Sequence, residues 1–366
     1  MVEDDEGFKY PVINTEACVN CGLCETVCPF NSVDCSPRNT NPTTYVSYSN
    51  DDALRGRSSS GGLFSELAKH CLELDGAVYG VAMSNDVLSA SHVRITTLDE
   101  LDRLRGSKYL QSDPNKIFQE VKSDLDAKKQ VLFSGTPCQI DALKRYLKRS
   151  YENLLLVEVI CHGVPSPKLW RKYIEYLEER NHTKIESVNF RDKTNGWKRF
   201  GLSEKGASFS QIKELSSDPY LVMFLRNCCL RPSCYDCNSK KHNSSADITL
   251  ADAWGITSFA PDFDDDKGAS LVIIQTEKGG RYFDAISGKV KHKEIPFSEA
   301  IKHNPSYHSS VAKPSSRNSF FVDMNTLPFK KLEKKYCSTT FLLKLKRFLA
   351  RTVFWKALKR VIRGKR

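Results

Sequence analysis

The sequence of 366 residues has no apolar run that approaches the ~20 residues of a membrane-spanning helix, so no such helix is predicted. It lacks the basic start and apolar segment of a secretory signal, because its first ten residues are acidic and polar. It also lacks internal repeats and long low-complexity segments, and a hydrophobic content of 40% argues against a disordered chain. We therefore expect a cytoplasmic, globular protein of two or three domains.

Acidic residues are absent from residues 341–366, which contain ten Lys or Arg. The whole chain has a formal net charge of +11, so the preceding residues carry only about +1. The excess of basic over acidic residues therefore lies in one segment, and it gives no reason to expect that the body binds nucleic acid.

Apolar residues in that segment recur at helical spacings, between Lys and Arg side chains: Phe341, Leu345, Phe348, Thr352, Trp355, Leu358 and Ile362. The pattern predicts that residues 311–366 are a linker followed by a basic amphipathic helix. The helix would either lie on the inner membrane surface, where each basic residue adds ~1 kcal/mol near anionic lipid, or pack on the body or a partner. Both alternatives stay open.

The thirteen cysteines are expected in a reducing compartment, where clustered thiols indicate metal or redox chemistry more often than disulfides. Four of them, followed by Pro29, form the run C-x2-C-x2-C-x3-C-P: Cys18, Cys21, Cys24 and Cys28. This spacing is typical of bacterial ferredoxins, where three thiolates hold one cubane 4Fe-4S cluster and the fourth usually reaches a second. We expect a ferredoxin-like unit over residues 1–47, with zinc binding as the weaker alternative.

Strands and helices alternate through the next part of the chain. The patterns predict strands over 76–82, 131–135, 154–160, 247–251 and 270–276, and helices over 138–148 and 166–179. This order is typical of an α/β fold with a mixed, largely parallel sheet. We expect an N-terminal half over 48–145 and a C-terminal half over 146–310.

The segment Ser58-Ser59-Ser60-Gly61-Gly62 precedes a predicted helix with Leu63, Leu67, Cys71 and Leu74 on one face. A helix that begins with Ser and Gly either leaves backbone N–H groups free for a phosphate or is capped by a Ser side chain. The sequence leaves both alternatives open.

A second set of cysteines lies in the body. Cys138 and Cys161 follow two predicted strands, at the sheet edge where α/β proteins bind ligands. Further along are Cys228, Cys229, Cys234 and Cys237, whose spacing fits either a second cluster or a zinc knuckle. Cys35, Cys71 and Cys337 lack metal-like spacing and are interpreted as structural.

Several segments, in this order, resemble the beta subunit of coenzyme F-420-reducing hydrogenases and related dehydrogenases, which are flavin and iron–sulfur proteins. They are Ser59-Ser60-Gly61-Gly62, Gly106-Ser107-Lys108-Tyr109, Gly135-Thr136-Pro137-Cys138-Gln139, Cys161-His162-Gly163, Cys229 through Cys237, and Ala246-Asp247-Ile248-Thr249.

The resemblance implies a flavin, expected to be FAD, bound in the body beside a 4Fe-4S cluster. The cluster thiols would be Cys138, Cys161, Cys234 and Cys237, with Cys229 as an alternative to Cys161. The residues implied at the flavin are Ser60, Gly61, Gly62, Ser107, Lys108 and Tyr109. A lysine there would stabilise the reduced ring, although Lys108 and Tyr109 also fit an ordinary loop end.

Fused ferredoxin units of this family usually have two cysteine runs, and residues 2–13 resemble the hairpin between them. On this resemblance we expect a further run upstream in the gene, with Met1 an internal methionine, unless that run was lost. Without that upstream run, either Cys28 or Cys35 would supply the fourth thiol of the cluster held by Cys18, Cys21 and Cys24.

These features predict an oxidoreductase that exchanges a hydride with a two-electron donor or acceptor, a deazaflavin-like coenzyme or another substrate, and passes single electrons to the clusters. Its catalytic residues are not identified. One alternative is a non-catalytic iron–sulfur subunit that serves a partner enzyme in, for example, surface-polysaccharide biosynthesis. The other is a structural protein held by zinc.

Overall fold

The computed structural model describes residues 1–28, 42–240 and 246–338. Pro29, Cys35 and the predicted basic helix of the C-terminal segment lie outside these residues. Within them, no helix is both long and apolar enough to cross a bilayer.

Fourteen strands and twelve α-helices are formed by the described residues. The strands are β1 Val2–Glu3, β2 Lys9–Tyr10, β3 Thr43–Ser49, β4 Ala77–Met83, β5 Ala90–Ile95, β6 Ser112–Asp113, β7 Val131–Gly135, β8 Leu154–Val159, β9 Ser187–Asp192, β10 Gly201–Gly206, β11 Phe209–Glu214, β12 Ile248–Asp252, β13 Ser270–Ile274 and β14 Val290–Glu294. The helices are α1 Leu23–Thr26, α2 Asp52–Arg57, α3 Leu63–Glu73, α4 Ile117–Asp126, α5 Pro137–Leu147, α6 Pro167–Asn181, α7 Pro219–Leu225, α8 Ile256–Phe259, α9 Glu277–Ile286, α10 Phe297–Ile301, α11 Arg317–Thr326 and α12 Phe329–Cys337.

A nine-stranded sheet in the order β14-β3-β13-β12-β8-β7-β4-β5-β6 forms the body. Its centre, β12-β8-β7-β4, is parallel, while β5 and the three strands beyond β12 join by antiparallel pairing. The sheet takes strands from both predicted halves of the body. The predicted α/β class is confirmed, with the parallel character concentrated at the centre.

Both faces of the central strands are buried, as expected for a parallel sheet. Leu132 and Leu155 pack on the side of α3 and α9. Phe133 and Leu156, one residue further along each strand, pack on the side of α4 and α5. Because alternate side chains point to opposite faces, continuous apolar runs bind helices on both sides.

The predicted elements agree with the structure to within a few residues. Ser166 caps α6 by accepting a hydrogen bond from the Leu169 amide, and Thr136 forms a capping box with Gln139 at the start of α5. Leu74 is the exception, because α3 ends at Glu73 and the Leu74 side chain is 50% exposed rather than buried.

The N-terminal hairpin, β1 and β2, packs on the body. Phe8 is fully buried in a core that includes residues of α6, α7, α11 and α12. Arg317 donates two hydrogen bonds to the Glu6 carboxylate, and Arg231 donates to the Lys9 carbonyl at 3.1 Å. The hairpin that precedes the cysteine run is therefore fixed to the body by a buried side chain and by hydrogen bonds.

A buried acidic pair in the same region predicts a pH-dependent stability. Tyr173 contacts Glu204 at 2.7 Å and Asp218 at 2.6 Å, and burial raises the pKa of Glu204 to about 7 and that of Asp218 to about 6. Protonation of Glu204 is thus favoured by folding. We expect the free energy of unfolding to fall by a few kcal/mol as pH rises from 4.5 towards 7, since each pKa unit corresponds to ~1.36 kcal/mol.

Chemical denaturation across this pH range measures the effect. Glu204→Gln should flatten the dependence, because the amide keeps a neutral partner for Tyr173, whereas Glu186→Gln changes an exposed carboxylate and should not. Equal slopes in wild type and Glu204→Gln would contradict the assignment.

Candidate functional site

A cavity of about 740 Å³ opens at the carboxyl ends of β7, β8 and β12. Five of the residues that the resemblance implies at a flavin line it, together with one of the implied cluster thiols: Ser60, Gly62, Ser107, Lys108, Tyr109 and Cys161. Its position matches the sheet edge where α/β proteins bind ligands. Its volume falls within the usual range for small-molecule and cofactor sites.

The two segments implied at the flavin are directly joined. The Ser107 amide donates a hydrogen bond to Ser59 Oγ at 2.7 Å. Gly61 does not line the cavity; its amide donates to Ser270 Oγ, and a Cβ there would lie 2.5 Å from the Ser47 carbonyl oxygen. Gly61 therefore allows the loop to pack against the sheet.

The start of α3 faces the cavity with free backbone donors. Gly62 is the N-cap residue, with φ of 92°, and no side chain of the described residues caps the helix. Leu63, Phe64 and Ser65 line the cavity, and Arg105 donates to Ser65 Oγ at 3.1 Å. A serine cap is therefore not formed. Uncapped N–H groups at the start of a helix fit a phosphate group, and the guanidinium of Arg105, which also forms an ion pair with Asp102, lies beside them.

Lys108 and Tyr109 are fixed in different ways. The Lys108 ammonium donates to the carbonyls of residues 103, 104 and 105, and burial lowers its pKa to about 7. Because all three donors are engaged, the geometry favours a loop-anchoring role for this lysine. The Tyr109 ring stacks on Phe224, and its hydroxyl accepts a hydrogen bond from Arg191 at 3.2 Å.

A buried ion pair that no sequence pattern indicated forms another wall of the cavity. Arg191, from β9, donates to both Asp252 oxygens at 2.6 and 2.8 Å, and its guanidinium lies 3.9 Å above the Phe200 ring. Trp197 also donates to Asp252. The Nε of Arg191 finds no acceptor within the part of the chain that the structure describes. This buried donor fits a bound polar group. Asp252 directly follows a predicted strand, which was the one available signal.

The structure brings four thiols of the body together: Cys138, Cys161, Cys234 and Cys237. Burial raises the pKa of Cys138 and of Cys161, and the neighbouring thiols raise both further. Thr136 Oγ1 lies 3.3 Å from Cys138 Sγ, and the Val164 amide donates to Cys234 Sγ at 3.3 Å. Cysteines brought together from three separate segments of the chain fit a metal-binding site, whose ligands lose their protons when metal binds.

Among residues 1–28, 42–240 and 246–338, no three His, Cys, Asp or Glu side chains are placed to hold a single metal ion. A cubane binds each thiolate at a different iron, so its ligands lie farther apart than those of a single ion. Four thiols from separate segments of the chain are the donor set that a 4Fe-4S cluster requires.

Cys229 is not part of this group. Its side chain is fully buried in the core, together with Cys228 and residues of α6 and α7. Burial raises the pKa of the Cys229 thiol well above its usual value. The geometry thus favours Cys161 over Cys229 as the fourth thiol.

The N-terminal thiols lie at the surface. Cys18, Cys21 and Cys24 are exposed and Cys28 is partly buried. A unit this small has little apolar core of its own, so a bound cluster would supply the missing stabilisation. The hairpin that precedes this unit contacts the body near Cys234, because the guanidinium of Arg231, three residues before Cys234, lies 4.2 Å above the Tyr10 ring.

The chain is similar in sequence to known proteins. Residues 44–118 and 128–299 match the families described as the N-term and the C terminus of the coenzyme F420 hydrogenase/dehydrogenase beta subunit, and residues 11–34 match a 4Fe-4S binding domain. One relative, a component of the F(420)H(2) dehydrogenase of Methanosarcina mazei, is 24% identical over 286 residues, which cover 77% of this chain and 73% of the relative. A chain of the F420-reducing NiFe hydrogenase complex from Methanosarcina barkeri has a TM-score of 0.49 and 16% identity, covering 81% of this chain and 91% of that chain.

Proposed function

Because the chain belongs to the coenzyme F420 hydrogenase/dehydrogenase beta-subunit family and carries a 4Fe-4S binding domain, we propose that it is a flavin- and iron–sulfur-dependent oxidoreductase. It would pass electrons between a two-electron donor or acceptor and its clusters. One observation carries the proposal: a single cavity reaches from the free N-terminus of α3 to Cys161. A flavin bound there would lie beside the thiols of the body cluster.

The residues of the cavity have separate roles in this proposal. The N–H groups at the start of α3 and Arg105 would hold the phosphates of FAD. Arg191, oriented by Asp252, would donate to a ring oxygen or nitrogen, and Tyr109 would position Arg191. A bound flavin supplies the exchange between two-electron hydride transfer and single-electron transfer.

The thiols of Cys138, Cys161, Cys234 and Cys237 would hold the body cluster. The N-terminal unit, docked through Arg231 and Tyr10, would hold the cluster at which electrons leave or enter the chain. The relative from Methanosarcina mazei is named as one subunit of a dehydrogenase, which supports a redox partner protein. A deazaflavin-like coenzyme is the substrate that the family name suggests.

Contact with the inner membrane surface is a further part of the proposal. It rests on the amphipathic sequence pattern of residues 341–362 alone, because those residues lie outside the described part of the chain.

Anaerobic purification followed by flavin, iron and sulfide analysis tests the proposal. We expect one flavin per chain in the supernatant of the denatured protein, together with iron and sulfide in equal amounts. Iron and sulfide without flavin, even after reconstitution, would favour the non-catalytic electron-transfer subunit. A colourless protein that contains zinc would contradict both.

A further inference from the structure

Lys240 is a buried cation without a carboxylate partner in the described part of the chain. It ends a short 3-10 turn, Asn238–Lys240, that follows directly after Cys237, and the residue is only 3% exposed. Its ammonium donates to the His162 carbonyl at 2.9 Å. Among the described residues no salt bridge to Lys240 is formed. A buried charge is costly unless it is paired, so this lysine requires an explanation.

Three buried arginines of the chain are paired. Arg55 binds Asp265, Arg191 binds both oxygens of Asp252, and Arg317 binds Glu6. The fold thus matches a buried guanidinium with a carboxylate elsewhere. Lys240, which lies beside the four body thiols, is a buried cation that has no such carboxylate among the described residues.

Lys240 lies beside the body thiols. It follows Cys237 by three residues, and its ammonium is held by the carbonyl of His162, the residue directly after Cys161. Its attachment to the His162 carbonyl, next to Cys161, fixes it in that place. The anionic partner would therefore be supplied by the thiolates and the cluster they hold.

We propose that Lys240 is a positioning residue that compensates the negative charge of the body cluster and sets its reduction potential; this inference rests on the proposed function. Four thiolates give the cluster a net negative charge, and one-electron reduction adds one more. A fixed cation in a low-dielectric site favours the reduced form. Lys240 would in this way make the body cluster a better electron acceptor.

The test is an EPR-monitored redox titration of the full, cluster-loaded chain. We expect the Lys240→Met protein to keep its iron but to have a lower midpoint potential of the body cluster. The equilibrium constant for reduction of the cluster should fall at least tenfold, which corresponds to ~59 mV for one electron. Lys240→Arg should stay near wild type because it keeps the charge. The matched control is Lys172→Met, since Lys172 also donates to one carbonyl, that of Met324 on α11.

A second measurement covers the case in which Lys240→Met does not load. In the iron-stripped full chain the lysine has no counter-charge among the residues that the structure describes, so Lys240→Met should raise the melting temperature relative to stripped wild type. Equal potentials in loaded wild type and Lys240→Met would overturn the inference, as would a lower melting temperature of the stripped variant. Absence of a cluster in wild type would instead overturn the proposed function.

Discussion

Replacing Cys161 by serine is expected to remove the iron of the body cluster, whereas replacing Cys229 by serine should leave it in place. Cys161 lies with Cys138, Cys234 and Cys237, while Cys229 is buried in the core. A cubane that loses one thiolate is usually lost or converted. We expect the Cys161→Ser protein to lose about half of its iron if the N-terminal cluster stays loaded.

Iron analysis and EPR of anaerobically purified variants measure this effect. Cys234→Ser should lose iron as Cys161→Ser does. Cys229→Ser is the matched control, because it changes a buried thiol in the stretch of chain that also contains Cys234. Full iron in Cys234→Ser would refute the ligand set. Loss of iron in Cys229→Ser, with full iron in Cys161→Ser, would exchange the two assignments.

Arg191→Met should both destabilise the protein and reduce its flavin content. The substitution leaves the Asp252 carboxylate without its guanidinium, and breaking a buried ion pair from one side costs ~3–5 kcal/mol. It also removes a donor from the cavity wall. Thermal unfolding and the flavin-to-protein ratio are the two measurements.

Two further variants separate stability from binding. Arg199→Met removes a cation whose side chain is 64% exposed, so its loss should cost at most ~1 kcal/mol. Arg191→Met combined with Asp252→Asn removes the uncompensated charge, so stability should partly recover while flavin content stays low. Full flavin content in the double variant would exclude Arg191 from the flavin site.

The order of elements could be read from the sequence because it depends on local patterns. The apolar run of β7 was predicted with its observed bounds, and Ser166 and Pro167 marked the start of α6. Leu74 shows the limit, since the end of α3 depends on a turn rather than on apolar spacing.

The candidate site was predicted only in part. The resemblance indicated its loops, but the roles of their residues depend on packing. Gly61 allows its loop to lie close to the sheet, and the Lys108 ammonium donates hydrogen bonds to backbone carbonyls of its own loop. Arg191 carried no local signal, because β9, which forms a three-stranded sheet with β10 and β11, meets the cavity only in the folded chain.

The sequence by itself determined the N-terminal cysteine run and the α/β order, because ligand spacing and periodicity are properties of neighbouring residues. Only the tertiary structure favoured Cys161 over Cys229, joined Arg191 to Asp252 and placed Lys240 beside the thiols. These pairs are far apart along the chain, 61 residues for Arg191 and Asp252 and 78 for Lys240 and His162. Their proximity follows from the sheet register and the packing of loops at its carboxyl edge, which local patterns do not encode.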